Sequence, residues 1–486
     1  MRDGIRAKMI KIDHNNNLDA NNINPIEQAQ CILPYYVKDP NDFHKQQINV
    51  FEKLERGINF VDAISLRHEV NFKDAFKTPI QRWYPYREGY SQKLVNYFIN
   101  KLDARGIIFD PFSGSGTTLL SARNNDLESI GIDVNPISVL VSETENEVYN
   151  SDDIAQIKKI ISYIKQIKKS NSDHKTSFSL ADKTFNHDIL QSLLQLKNEI
   201  ASINSNKVRK LVFVSWLSII ESVSNFKKEG NGIKYKNRKR TVKGYTNIPQ
   251  EIWENKYFPV DKFNYVKGKL IEKLEIILFD IINYYGSVNI RPRIYESNCL
   301  DFDKLFKEEI GFTFFSPPYC NSFDYFEIHK VELWLGDFVT SKEQMRNLKV
   351  KGFRSNTSSL NNKYVTFKNE YLEILVSLFD SSKLWSKRIP NVVRGYFDDF
   401  NTLLIKLYNQ TADNGYVGIV VGNSAYSGVI IPTDVLIADI AREIGFEIEC
   451  LYITRHLTTS SQQKLKLEPL KQYLRESILL LKKRKK

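Results

Sequence analysis

The sequence predicts an α/β protein: a doubly wound, mostly parallel sheet interrupted by a mainly helical insertion. Three observations carry this. Two short apolar runs, "GIIFDPF" and "SIGIDVNP", flank "TTLLSARNN", and a glycine turn joins the first run to that helix. Strand, turn, helix, strand is half of a doubly wound unit. From Ser151 to about Ser287 the strand signals fade, and from about Val288 the α/β rhythm resumes.

The elements follow in order. Residues 1–70 are polar and carry "NNNLDANNIN", which predicts a loosely attached extension. Residues 71–150 form the first part of the α/β unit, where "SQKLVNYFINKL" has helical spacing with Ser91 as its N-cap. Residues 151–289 hold three helical stretches, "DDIAQIKKIISYIKQIKK", "HDILQSLLQLKNEIASI" and "KGKLIEKLEIILFDIINYY". Between the last two lies the basic segment "KKEGNGIKYKNRKRTVKG", whose glycines and tyrosine predict a mobile loop. Residues 290–486 resume with the strands "VNIRPRIYESNCLDF" and "GFTFFSPPY". A second insertion spans Lys342 to Ile389, and "GYVGIVVGNS" follows as a strand. "TDVLIADIAREIG" is a helix starting near Thr433 or Asp434. "FEIECLYITRH" and "ESILLLKK" are the closing strands, an antiparallel pair at the sheet edge.

Composition narrows the function classes. With 42% hydrophobic and 26% charged residues the 486-residue chain is a soluble globular protein of two or three packed units. No apolar run approaches the ~18–20 residues of a membrane span, and the N-terminus has no secretory apolar core, so the expected location is cytoplasmic. The four cysteines form no CxxC pair, which argues against a structural zinc site, and no metal is expected. A net charge of +12 suits a polyanionic partner, although solubility alone also explains a mildly basic chain.

The turn "FDPFSGSGTTLL" carries the first chemistry. Gly114 and Gly116 let a ligand approach bare backbone, and the amides opening the next helix can hold polar groups. Asp133 ends the following strand, the usual place of a carboxylate that holds ribose hydroxyls. A phosphate loop needs lysine after the last glycine, where Thr117 stands. A dinucleotide fingerprint needs a third glycine, where Leu119 stands. A nucleoside ligand remains, with an ordinary strand–helix turn as the plain alternative. Asp110, Pro111 and Asp133 favour the ligand.

"SPPY", Ser316 to Tyr319, closes a later strand. Two prolines stiffen the turn and donate no backbone hydrogen bonds, but their carbonyls accept. Ser316 adds a hydroxyl acceptor and Tyr319 a flat ring. A planar amino group needs two acceptors and a stacking surface. Without the glycine turn, a rigid strand-to-loop connection explains the prolines as well.

Together these segments resemble the S-adenosylmethionine-dependent DNA amino-methyltransferases, which modify cytosine N4 or adenine N6. "DPFSGSGTT" is similar to the cofactor loop, "GIDVNP" to the ribose-binding strand end, and "SNCLDF" to the segment whose acidic residue, Asp301 here, faces the cofactor adenine. "SPPY" is similar to the catalytic turn, and "RWYPYREGYSQKLV" to the segment at the methionine end of the cofactor. Five segments in one order make the resemblance specific over about Thr78–Ser142 and Val288–Lys483. It implies a Rossmann-like class I methyltransferase fold with an antiparallel edge hairpin. It implies S-adenosylmethionine held by Tyr86, Asp110, Pro111, Phe112, Gly114, Ser115, Gly116, Thr117, Thr118, Asp133, Asn135 and Asp301. Ser316, Pro317, Pro318 and Tyr319 are the implied catalytic residues.

A serine heading the turn is typical of the cytosine-N4 branch. Adenine N6 and the guanine N2 of transfer RNA are the alternatives. The implied partner is double-stranded DNA, with a cognate restriction endonuclease. Hydrogen bonds to Ser316 Oγ and the Pro317 carbonyl would expose the amino lone pair, and Tyr319 would stack on a base flipped from the duplex. No catalytic cysteine is needed, and Cys320 is expected to be structural. Lys234, Lys236, Arg238, Lys239 and Arg240, with Lys243 beyond them, are the candidates for phosphate contact. Asn423, Arg455, Gln462 and Gln463 are polar candidates near the pocket or DNA.

Overall fold

A computed structural model describes residues 42–230, 232–241, 244–284, 290–360, 364–458 and 464–485. Lys243, Gln462 and Gln463 lie outside the described residues, as does the asparagine-rich segment. The centre is an eight-stranded sheet of β1 (Phe60–Asp62), β2 (Ile107–Asp110), β3 (Ser129–Asp133), β4 (Arg293–Glu296), β5 (Ile310–Phe315), β6 (Thr411–Gly422), β7 (Glu447–His456) and β8 (Arg475–Lys482). Their spatial order is β1-β7-β8-β6-β5-β2-β3-β4. Neighbours are parallel except that β8 runs against both β6 and β7.

Period-two alternation sends successive side chains to opposite faces. On β6, Val417, Ile419 and Val421 join one apolar layer with Leu479 and Leu481 of β8, while Val420 joins the other with Ile478 and Leu480. Phe312 and Phe314 of β5 fill that second layer beneath Leu94, Val95 and Phe98 of a helix, Gln92–Lys101. Gly418 of β6 leaves room for the Phe314 ring, which an added Cβ would approach to 2.6 Å.

Two differences from the sequence expectations concern the first half. The expected loose extension reaches to residue 70, yet Asp42–Glu55 is a helix that buries Val50, Phe51 and Leu54 in the same layer as β6. After four intervening residues, β1 pairs with β7 outside the β7–β8 pair. The polar residues before it hide a short amphipathic helix and a three-residue strand. The basic segment forms two hairpins, pairing Phe226–Lys228 with Ile233–Tyr235 and Arg238–Thr241 with Gly244–Asn247.

The insertion is helical around those hairpins: Ser151–Gln166, His187–Ala201, Asn206–Ile219 and Lys262–Tyr284. Asn150 opens the first with a reciprocal cap, accepting from Asp153 N while Asp153 accepts from Asn150 N. The block shares one apolar cluster with Trp83, Tyr84, Ile137 and Val141 of the sheet domain. Asp280, fully buried, accepts from Ile80 N, Arg82 Nε and Trp83 Nε1, each at 3.0 Å. Among the described residues no helix is long and apolar enough to cross a membrane.

Candidate active site

The chain winds outward from β2 to β3 and β4, then returns to β5 on the other side of β2. Loops from the C-terminal ends of β2 and β5 therefore diverge, which opens a crevice at that switch point. A cavity of about 560 Å³ lies there, lined from four strand ends: Pro111, Phe112 and Gly114 after β2, Asp133 and Asn135 after β3, Ser297 to Cys299 after β4, and Ser316 to Tyr319 after β5. That volume suits a nucleoside-sized ligand.

Asp133 ties two of these loops together. Its Oδ2 accepts from Gly114 N (2.9 Å) and its Oδ1 from Asn135 N (2.8 Å). Burial raises its pKa to about 6 against the pull of those amides and of His329. Asp133 lines the cavity, and a carboxylate oxygen that accepts one N–H has a second lone pair for a hydroxyl donor. Asn135 also caps the helix Pro136–Asn146, accepting from Ile137 N at 3.1 Å. Tyr86 stacks on His329, ring centres 5.6 Å apart, and its hydroxyl meets Ser138 Oγ at 3.1 Å.

The remaining residues of the glycine turn shape it from behind. Asp110 is buried, accepts from Phe112 N (3.0 Å) and Tyr90 Oη (3.1 Å), and is raised to about 7 by burial. Thr118 Oγ1 meets Tyr90 Oη at 2.6 Å, and Thr117 Oγ1 accepts from Gln81 Nε2 at 2.9 Å. Gly116 has φ +87°, and a Cβ there would lie 2.3 Å from Ser142 Oγ and 2.7 Å from Asn146 Nδ2. Its missing side chain thus admits the helix Pro136–Asn146 rather than a ligand. Ser115, Gly116, Thr117, Thr118 and Asp110 do not line the cavity.

Asp301 is also displaced from its expected place. Asn298 Oδ1 accepts from Leu300 N (2.8 Å), starting the 3-10 turn Cys299–Asp301 that carries Asp301 outward. Its carboxylate pairs with Lys304 at 2.5 Å, half exposed, while Ser297, Asn298 and Cys299 face the cavity.

All four residues of the proline turn line the cavity. The Tyr319 hydroxyl donates to Glu476 Oε1 at 2.8 Å, and Arg455 lies on the same wall. The Cys320 thiol is buried, and desolvation pushes its pKa well above that of a free thiol, so it carries no thiolate. Asn423 faces away from the cavity, donating to Tyr473 O (2.9 Å) and accepting from Asp434 N (3.1 Å).

The first hairpin closes one side. Lys228 lines the cavity with Nζ 2.6 Å from Glu332 Oε1, both side chains 2% exposed, and 3.3 Å from His329 Nδ1. His329 Nε2 lies 3.5 Å from Glu88, whose carboxyl stays below its ordinary pKa because His329 and Lys228 outweigh its burial. Sequence reasoning missed His329, Glu88 and Glu476, and read Lys228 only as part of the basic segment. The one available signal was "HKVE", which places His329 and Glu332 on one helical face.

The basic residues split by environment. Lys239 and Arg238 are exposed, with the Arg238 guanidinium 4.3 Å over the Tyr245 ring. Arg240 lies on the same strand. Lys234 pairs with Glu229 at 2.7 Å. Lys236 turns inward, donating to the carbonyls of Glu221 (2.8 Å) and Ser224 (2.9 Å), and burial lowers its pKa.

The family model described as "DNA methylase" (N6_N4_Mtase) matches residues 6–143. The chain is 25% identical over 470 residues to the Type II methyltransferase M.AvaI of Nostoc sp., covering 88% of this chain and 93% of that one. It is 27% identical over 441 residues to M.BsoBI of Geobacillus stearothermophilus, covering 82% and 85%. A shorter match, 39% identical over 79 residues, is to M.MjaII of Methanocaldococcus jannaschii, covering 16% and 14%. The matched region, the sheet order and the carboxylate at the end of β3 agree with the resemblance of this chain to the S-adenosylmethionine-dependent DNA amino-methyltransferases.

Proposed function

We propose that the protein methylates the N4 amino group of a cytosine flipped out of double-stranded DNA, at a specific sequence, as the modification partner of a restriction endonuclease. The observation that carries the reading is the meeting of the Ser316–Tyr319 turn with Asp133 and Gly114 around one cavity. Residues 71–150 and 290–486 are proposed as the catalytic unit and 151–289 as the target-recognition block. The relatives' Type II names support the restriction context.

The fit for S-adenosylmethionine rests on Asp133. Its half-buried carboxylate has acceptor capacity left, beside the bare backbone of Gly114 and the ring of Phe112. Asp133 would hold the ribose, Phe112, Ser297 and Asn298 the adenine side, and Tyr86 the methionine side. The cofactor supplies a methyl group already activated on a sulfonium.

The chain's own residues orient the acceptor. Ser316 Oγ and the Pro317 carbonyl would each accept one amino N–H, which draws the nitrogen lone pair out of conjugation and stabilises the positive charge developing on nitrogen. Tyr319 stacks on the base, and the rigid prolines hold the acceptors at one spacing. The proton lost from nitrogen passes to water. Burial has removed Cys320 as a nucleophile.

Incubation of DNA with labelled donor, followed by nucleoside mass analysis, tests this. Labelled 4-methylcytosine is expected, and Ser316→Ala should slow transfer by about 10²-fold. Labelled 6-methyladenine alone would overturn the cytosine reading, and label in transfer RNA but not DNA would overturn the substrate class. A fully active Tyr319→Ala protein would remove the turn from the chemistry.

A further inference from the structure

Three residues hold Tyr319, one from each of three adjacent strands. Glu476 of β8, 1% exposed, accepts from the Tyr319 hydroxyl at 2.8 Å. Arg455 of β7 holds the same carboxylate with two donors, Nε at 2.6 Å and Nη2 at 2.9 Å. Gly422 of β6 lies against the ring, where an added Cβ would stand 2.8 Å from Cε2 and 3.0 Å from Cδ2. Topology explains the meeting. Because β8 runs against its neighbours, its first residues stand at the edge where the parallel strands end, beside the proline turn.

We infer that Glu476 is a positioning residue for the methyl transfer. Through the hydroxyl it fixes the plane of the Tyr319 ring, with Arg455 fixing the carboxylate and Gly422 fixing the ring face. The inference rests on the proposed role of the Ser316–Tyr319 turn. A stacking ring alone needs no hydroxyl. A buried tyrosine hydroxyl with a dedicated carboxylate, itself held by two arginine donors, sets one orientation. Misplacing a reacting group by an ångström can cost about 10²-fold in rate, so loss of that orientation is felt in the chemical step.

The test uses the full-length protein and compares single-turnover methylation of DNA with calorimetric affinity for S-adenosylhomocysteine. Tyr319→Phe and Glu476→Gln are each expected to slow transfer about tenfold while affinity stays within twofold. The double variant should be no more than twofold slower than the slower single one, because both remove the same tether. Losses that multiply, or affinity falling together with rate, would overturn the inference. If Glu476→Gln does not fold, Tyr319→Phe and Gly422→Ala decide: both should slow transfer about tenfold with affinity kept, and a wild-type rate in either overturns it. Tyr319→Ala separates the two levels. An inactive alanine variant beside a fully active phenylalanine variant leaves the turn in place and removes only the tether, whereas an active alanine variant removes the turn itself.

Discussion

At the scale of single residues, Asp133 does two jobs with opposite pH signs. Its raised pKa, about 6 against ~3.9 unperturbed, means that folding favours its protonated form. Its contribution to stability is therefore full below pH ~4 and is lost as pH rises through about 6, and Asp110 extends the window to about 7. In its proposed role at the ribose, Asp133 acts in its ionised form, which accepts from two hydroxyls. Affinity for S-adenosylhomocysteine should thus fall about tenfold between pH 7.5 and pH 5, and Asp133→Asn should be weaker throughout with a flat profile, as read by calorimetry. Gly116 gives a second test. Gly116→Ala strains a positive φ and drives a methyl group into Ser142 and Asn146, so it should cost about 2–4 kcal/mol of stability in urea unfolding. Variant protein that still folds should keep its cofactor affinity, since the clash lies behind the cavity wall.

At the scale of elements, what could be read from the sequence depended on whether an element's signal was local. β2, β3, β5 and β6 were legible because each is an apolar run ended by a distinctive turn. The two hairpins were not, because "KYKNRKRT" alternates little apolar character and its strands are three or four residues long. β1 was hidden for the same reason, being only three residues long and following a polar helix. At the site, Asp133 and the proline turn are distinctive by type and position and line the cavity, whereas Asp301 stands outside it because a one-turn 3-10 segment carries it outward. Glu476 and Lys228 arrive from distant strands, which no spacing rule connects. The hairpins also set a prediction about DNA. Alanine at Lys239 or Arg238 should weaken binding at every sequence and lower the slope of log affinity against log salt by about 1. Alanine at Lys236, whose ammonium is spent on two carbonyls, should leave that slope unchanged and loosen the hairpin instead. Filter binding across a salt series separates them.

At the scale of the whole molecule, buried charge joins the insertion to the sheet domain. Asp280 takes the Arg82 guanidinium and two further donors, Lys228 pairs with Glu332, and Arg87 Nη2 bonds both Glu221 oxygens at 2.9 and 3.0 Å. Removing one partner of a buried pair leaves the other charge uncompensated, which costs about 3–5 kcal/mol. Asp280→Ala should therefore lower the stability of the whole protein by that order, and intrinsic tryptophan fluorescence and circular dichroism should still report one coincident transition. If the two probes separate, with the helical block melting first, the block is only loosely attached. Arg87 and Glu88 adjoin Tyr86 in the chain, so this charge network reaches directly from the hairpin to the cavity wall.

The reversal of β8 also has a consequence for biosynthesis. Of the eight strands β8 is translated last, yet it occupies an inner position between β6 and β7. While the ribosome still holds it, the nascent sheet has a gap where two strands wait with unpaired edges, and β7 with its neighbour β1 has nothing to join. A premature stop codon before Arg475 would not trim an edge but release a split sheet, a template for pairing between chains. Supplying the missing strand as a separate peptide should then restore soluble, active protein, making this position a natural break point for an enzyme assembled from two fragments.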